Sequence, residues 1–300
     1  MPFLKQSIHY EGLESLACAL KKLFVLSDLK ISPGSELDQT INGLLKLSSW
    51  WKAGHTSPGP SIQELARGMC GLRLASSALF LDPKKHYSIL RKLQKGSLLF
   101  WNNERSEAKD TEWEVNAWAH LSEANLAPLL AEPDLQVTLK GVGFGLACKR
   151  LYSESNANKQ ISKGVKQIRH ASIPGIVCLA IDSLVQPDVD VAVLKVQTIN
   201  DAREALQGKL DLFRRMKEGH VVPKYFTNGR LAGIILTIQA FADIAETEER
   251  AIHCQESLVW TAESVSREQR DCLKFLHEKL VSAMIPWEKI ITRANELLAL

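Results

Sequence analysis

The chain has 300 residues, 45% of them hydrophobic, and a net charge of +3. That length suits two compact units, and the apolar fraction is enough for a buried core. So small a net charge excludes a chain that binds polyanions along its whole length. No stretch reaches the run of about 18 apolar residues that a membrane span needs. The N-terminus, with Lys5, His9, Glu11 and Glu14, lacks the apolar core of a signal peptide. Six cysteines without CxxC or CxxxH spacing read as reduced core thiols of a cytoplasmic protein, not as a zinc site or a disulfide framework.

The first hundred residues read as helical. Leu13, Leu16, Ala17, Leu20, Leu23 and Phe24 recur at steps of three and four, which places them on one helix face. Ser32-Pro33-Gly34 ends that helix, and a second is predicted from Glu36 to about Trp51. After the break at Ser57-Pro58-Gly59-Pro60, Ser61 followed by Glu64 is the signature of a capping box. Its helix carries Leu65, Met69, Leu72, Leu74 and Leu79. Asp82-Pro83 predicts a fourth helix, with proline at its first position and Tyr87, Leu90, Leu93 and Leu98 as its apolar stripe. Residues 1–104 are thus expected to form an all-helical N-terminal domain, and the polar stretch from Asn102 to Asp110 a linker.

Beyond the linker the pattern changes. A helix is predicted over Glu112–Leu126. Leu135–Leu139 alternates apolar and polar residues, as a half-buried strand does. Gly141, Gly143 and Gly145 supply a turn, and Phe144–Leu151 completes the hairpin. A helix over 158–170, a buried central strand at Ile176–Ile181, a helix over Asp201–Lys217 and outer strands at Leu231–Ala240 and Ser257–Ala262 follow. The expected class is α/β, a sandwich with a mixed central sheet over 105–264. Residues 265–300 read as a C-terminal helical extension interrupted near Pro286.

Charge is unevenly spread. From Leu139 to His170 seven cations face one acid, Glu154, a concentration suited to a phosphate backbone. The same segment holds the residues with most chemical content. Strand residues two apart share a face, so positions 147 and 149 point together while Cys148 points into the core. Asp134 opens the neighbouring strand. Metal-assisted phosphodiester hydrolysis needs hard oxygen ligands for Mg²⁺, which two carboxylates from adjacent strands can supply, and a lysine placed with them stabilises negative charge.

Pro133-Asp134, then Ala147-Cys148-Lys149-Arg150 with Leu151 and Ser153, then Lys166-Gln167-Ile168 and Gly175-Ile176-Val177 follow one another in an order that resembles the PD-(D/E)xK nucleases and covers about half the chain. The resemblance implies a restriction-endonuclease-like fold and a DNA endonuclease dependent on Mg²⁺ or Mn²⁺. By that likeness Asp134 binds the metal, Glu114 on the preceding helix adds a ligand, Lys149 acts at the scissile phosphate and Gln167 orients phosphate or nucleophile. Arg150, Lys163, Lys166 and Lys140 would hold the nucleic acid, with RNA as the other substrate class. It further implies a role in bacterial or phage defence beside an ATPase or sensor partner, and leaves self-association open.

One position departs from the pattern. The acid that precedes the "xK" pair is Ala147. The otherwise intact motif favours an engineered acid-to-Ala substitution in an active nuclease. The alternative is a natural pseudonuclease that serves as a nucleic-acid-binding or scaffold subunit. Either way this chain is expected to be inactive or nearly so. Other features read as structural. His120 and His170 lack metal or triad spacing, Ser153 and Ser155 lack a nucleophile elbow, and the Gly141–Gly145 run lacks the Lys-Ser/Thr of a phosphate loop.

Overall fold

A computed structural model describes residues 12–54, 59–139, 141–185, 193–226, 230–246, 249–282 and 285–300. The chain divides into two compact units, one of Met1–Phe100, Arg105–His120 and Met284–Leu300, the other of Trp101–Glu104 and Leu121–Ala283.

The first unit is helical over its described residues. It contains α1 (Leu13–Leu26), α2 (Glu36–Lys52), α3 (Ile62–Ala78), α4 (Tyr87–Leu93), most of α5 (Glu107–Glu123) and α9 (Trp287–Ala299). The apolar stripe of α1 is fully buried. At α3, Ser61 and Glu64 close the capping box from both sides, satisfying two amides that a helix start otherwise leaves unpaired. The helix after Asp82-Pro83 is shorter than its apolar spacing predicts, because the residues up to His86 form turns. Asp82 accepts the amides of Lys84 and Lys85 at 2.9 and 2.8 Å, so its side chain stabilises a turn instead of a helix start. The expected linker is partly helical, since α5 begins at Glu107. The tail predicted as one extension is divided, with α8 (Arg267–Ser282) in the second unit and α9 in the first.

The second unit is α/β. Its described residues form the strands β1 (Leu129–Ala131), β2 (Asp134–Leu139), β3 (Val142–Arg150), β4 (Gly175–Ala180), β5 (Val193–Val196), β6 (Leu231–Ile244) and β7 (Glu249–Trp260). The sheet runs β1-β2-β3-β4-β6-β5, with β7 on β6. Pairs β1/β2, β2/β3 and β6/β7 are antiparallel, and β3/β4, β4/β6 and β5/β6 are parallel. The sheet is therefore mixed. The β2–β3 hairpin pairs Leu139 with Val142, and Gly141 before β3 takes a φ of +82° that other residues resist.

Helices cover both faces. α6 (Ala157–Ala171) joins β3 to β4, and α7 (Ile199–Tyr225) precedes β6. Gly164 of α6 lies against Val177 and Ala147, and Arg203 of α7 holds Glu256 of β7 at 2.7 Å. The strand register puts these positions on one face. α8 covers the other, with Leu273 over Gly233. β4 is buried at every residue, as a central strand covered on both sides should be.

The cysteines are not all core thiols. Cys70, Cys148, Cys178 and Cys254 are buried, but Cys18 is exposed and Cys272 is half-buried. Cys18 lies within the apolar stretch of α1 but falls on its outward side. Among the described residues no helix is long and apolar enough to cross a membrane.

Candidate active site

The β2–β3 pairing brings the two ends of the motif together. Leu135 pairs with Leu146, and one further step sets Asp134 opposite Ala147. Asp134 Oδ2 accepts the backbone amide of Cys148 at 2.7 Å and the Lys149 ammonium at 2.6 Å. Lys149 Nζ also donates to the Cys148 carbonyl at 2.8 Å. From α6, Gln167 Nε2 donates to Asp134 Oδ1 at 3.1 Å and to the Pro133 carbonyl at 2.7 Å. Asp134, Ala147, Lys149 and Gln167 thus share the face of the sheet that α6 covers.

The cluster is largely dry. The Asp134 and Lys149 side chains are 11% and 14% exposed. Burial pushes the Asp134 carboxyl above its usual range; the Lys149 ammonium, the Cys148 amide and Gln167 pull the other way without cancelling it. Gln167 Oε1 is buried and has no hydrogen-bond partner among the described residues. It is an acceptor able to take a proton donor from a bound molecule beside Asp134.

Ala147 is fully buried. A Cβ built on Gly164 would lie 3.4 Å from the Ala147 Cβ and 2.9 Å from Val177 Cγ2. The helix backbone therefore comes down onto the strand at the position where the motif expects an acid, and only glycine lets it approach so far.

The remaining expected residues fall in several places. Lys163 and Lys166 are exposed on α6. With exposed Lys159 and His170 they form one helical stripe, and none of the three lysines has an ion-pair partner among the described residues. Arg150 differs from its expected role at the nucleic acid. It is 2% exposed, and its guanidinium is paired with Asp182, in the 3-10 turn Asp182–Leu184. Alternation along β3 gives the reason: 150 points opposite to 147 and 149, into the core. Lys140 lies outside the described residues. Glu114 is on the part of α5 that belongs to the helical unit. In the same unit Glu112 is buried and held by both Arg73 Nε and Nη2, at 2.6 and 3.0 Å. Sequence spacing signalled neither the Pro133 carbonyl as a second partner of Gln167 nor Asp182 as the partner of Arg150.

Asp134 brings one carboxylate to the cluster, and Lys149 already holds one of its oxygens. Among the described residues no three His, Cys, Asp or Glu side chains are placed to hold a metal ion. The Lys149 ammonium balances the Asp134 charge. No family model, no curated protein and no solved structure matches this chain.

Proposed function

We propose that the α/β unit is a restriction-endonuclease-like nuclease unit acting on DNA, with RNA as the alternative substrate, and that as it stands it binds without cleaving. The observation that carries this reading is the contact of Lys149 with Asp134 at 2.6 Å, with Gln167 on the other carboxylate oxygen. Three of the residues that the motif names, from two strands and a helix, lie in contact. The chain order supports it: an antiparallel β2–β3 hairpin, then α6, then β4 parallel to β3. So does the exposed lysine stripe on α6, which suits a phosphate backbone.

Charge balance explains why this chain is expected to be silent. A second carboxylate at 147 would leave two negative charges against one lysine, and that surplus is what recruits Mg²⁺ or Mn²⁺. Alanine leaves the site neutral. The test is Ala147→Glu, assayed with Mg²⁺ or Mn²⁺ on single- and double-stranded DNA and on RNA. Cation-dependent cleavage by the variant, absent from the parent, is the expected result. A folded variant that binds the ion by calorimetry and cleaves nothing would sink the nuclease reading.

A second reading has its own support. The contact of Gly164 with Ala147 and Val177 is what a native small residue would produce. On that basis alanine is the natural residue and the unit is a nucleic-acid-binding pseudonuclease. An Ala147→Glu chain that unfolds or binds no Mn²⁺ favours this second reading.

A further inference from the structure

The helical unit has a charged surface that the cluster around Asp134 does not use. Between Asp82 and Lys95 the sequence holds five cations (Lys84, Lys85, Arg91, Lys92 and Lys95) and one acid. Lys84, Lys85, Arg91 and Lys92 are exposed, and none is in an ion pair among the described residues. Lys95 is paired with Glu107 at 3.1 Å. The lone acid, Asp82, is turned onto the amides of Lys84 and Lys85. It braces the turn that presents their side chains and makes no ion pair with them.

The framework under these cations is fixed. Leu90 and Leu93 anchor α4 in the core. His86 accepts the Asp82 amide at 2.9 Å through Nδ1 and packs on Trp118, ring centroids 5.9 Å apart. Gln94 donates to the Lys30 carbonyl at 3.1 Å, which brings exposed Lys30 alongside. Tyr87 is 41% exposed and lies one helical turn from Arg91, on the same side of α4.

We propose that this surface is a second nucleic-acid contact, for a single strand, in which Lys84, Lys85, Arg91 and Lys92 hold phosphates and Tyr87 stacks on an unpaired base. The proposal rests on the reading of the α/β unit as one that acts on nucleic acid. Cations beside an exposed aromatic ring are the two parts that a sequence-tolerant single-strand site needs. An anionic membrane fits less well. α4 has seven residues, and its leucines are buried, so it has no apolar face to insert.

The experiment is fluorescence anisotropy of the full chain with a labelled single-stranded DNA of about 20 nucleotides, longer than the ~4–16 a comparable site spans, across a salt series. The parent is compared with Lys84→Gln/Lys85→Gln/Arg91→Gln/Lys92→Gln, with Tyr87→Ala, and with Lys159→Gln/Lys163→Gln/Lys166→Gln as the α6 control. Single-strand binding loses about 0.7 from its log–log salt slope for each phosphate contact removed, so the fourfold variant is expected to lose roughly 3. Tyr87→Ala is expected to weaken binding roughly 5- to 150-fold at fixed salt. All the substituted side chains are exposed, so unchanged thermal midpoints confirm that the variants are folded.

Binding by the parent that the fourfold and Tyr87 variants leave intact overturns the proposal, and loss in the α6 control alone then keeps the reading of the α/β unit. Loss in the fourfold and Tyr87 variants with the α6 control unchanged supports the second contact and removes the α6 stripe from that reading. No binding by the parent ends both. Phosphatidylserine vesicles captured by the parent and released by the fourfold variant, with DNA binding unaffected, overturn the nucleic-acid assignment.

Discussion

The pair at the centre of the site can be tested without any substrate. Lys149→Met removes the ammonium and keeps most of the apolar stem. Asp134 then retains the Cys148 amide at 2.7 Å and the Gln167 amide at 3.1 Å. Stripping one partner from a buried ion pair costs about 3–5 kcal/mol. With two donors left and 11–14% exposure, the lower end, about 3 kcal/mol at pH 8, is expected. The pH dependence has a definite sign. The Asp134 carboxyl already titrates above its ordinary 3.8, so its contribution to stability is complete below that value and is lost as pH rises through the folded value. Without Lys149 the carboxyl should rise further, and the deficit of the variant should shrink as the solution is acidified. Urea unfolding of the parent, Lys149→Met, Asp134→Asn and the double variant at pH 5 and pH 8 gives the coupling directly. A coupling above about 1.5 kcal/mol at pH 8, smaller at pH 5, is expected for partners in contact. A value under about 0.5 kcal/mol with no pH dependence would mean that the two side chains do not meet, and the site would lose its foundation.

Two further outcomes test the surroundings. Gly164→Ala places a methyl 2.9 Å from Val177 Cγ2 and should cost about 1–3 kcal/mol by overpacking; an unchanged thermal midpoint would show that α6 stands off the sheet. In the helical unit Ser61→Ala should cost about 1 kcal/mol through loss of the cap. There the Glu64 carboxyl is lowered from 4.5 to about 2, first by its hydrogen bond from Lys46 and then by Ser61. Its contribution is therefore present above 4.5 and lost as pH falls toward 2, and Glu64→Gln should flatten acid unfolding over that range.

The legible parts of this chain were those fixed by short-range pattern. Alternation over 135–139 and the glycine turn gave the β2–β3 hairpin, and the hairpin alone brings Asp134 to Lys149. The capping box at Ser61 could be read because its two hydrogen bonds lie within four residues. Period-two alternation also contained the signal that Arg150 turns inward, but its basic neighbours suggested a surface. Its partner Asp182 is 32 residues away, and no local rule pairs them. Three-residue β1 and four-residue β5 are too short to carry a periodic signal. α7 continues to Tyr225, past an internal Pro223 that reads as a stop in sequence. The division of the C-terminal tail between two units depends on contacts across the whole chain, which periodicity does not encode.

The state of position 147 bears on more than the proposed cleavage. Ala147 is not an open hole where a ligand was removed, because the α6 backbone closes over it at Gly164. A glutamate there can extend along the same face toward Asp134 and Lys149. If it does, its carboxylate meets an ammonium already shared with Asp134, and the surplus negative charge needs a cation. In that case Ala147→Glu should be less stable than the parent in chelator and should regain stability as Mn²⁺ is added, by RT ln(1 + [Mn²⁺]/Kd). A variant destabilised equally with and without Mn²⁺ would place the new side chain against Gly164 and Val177, and the native residue at 147 would then be a small one.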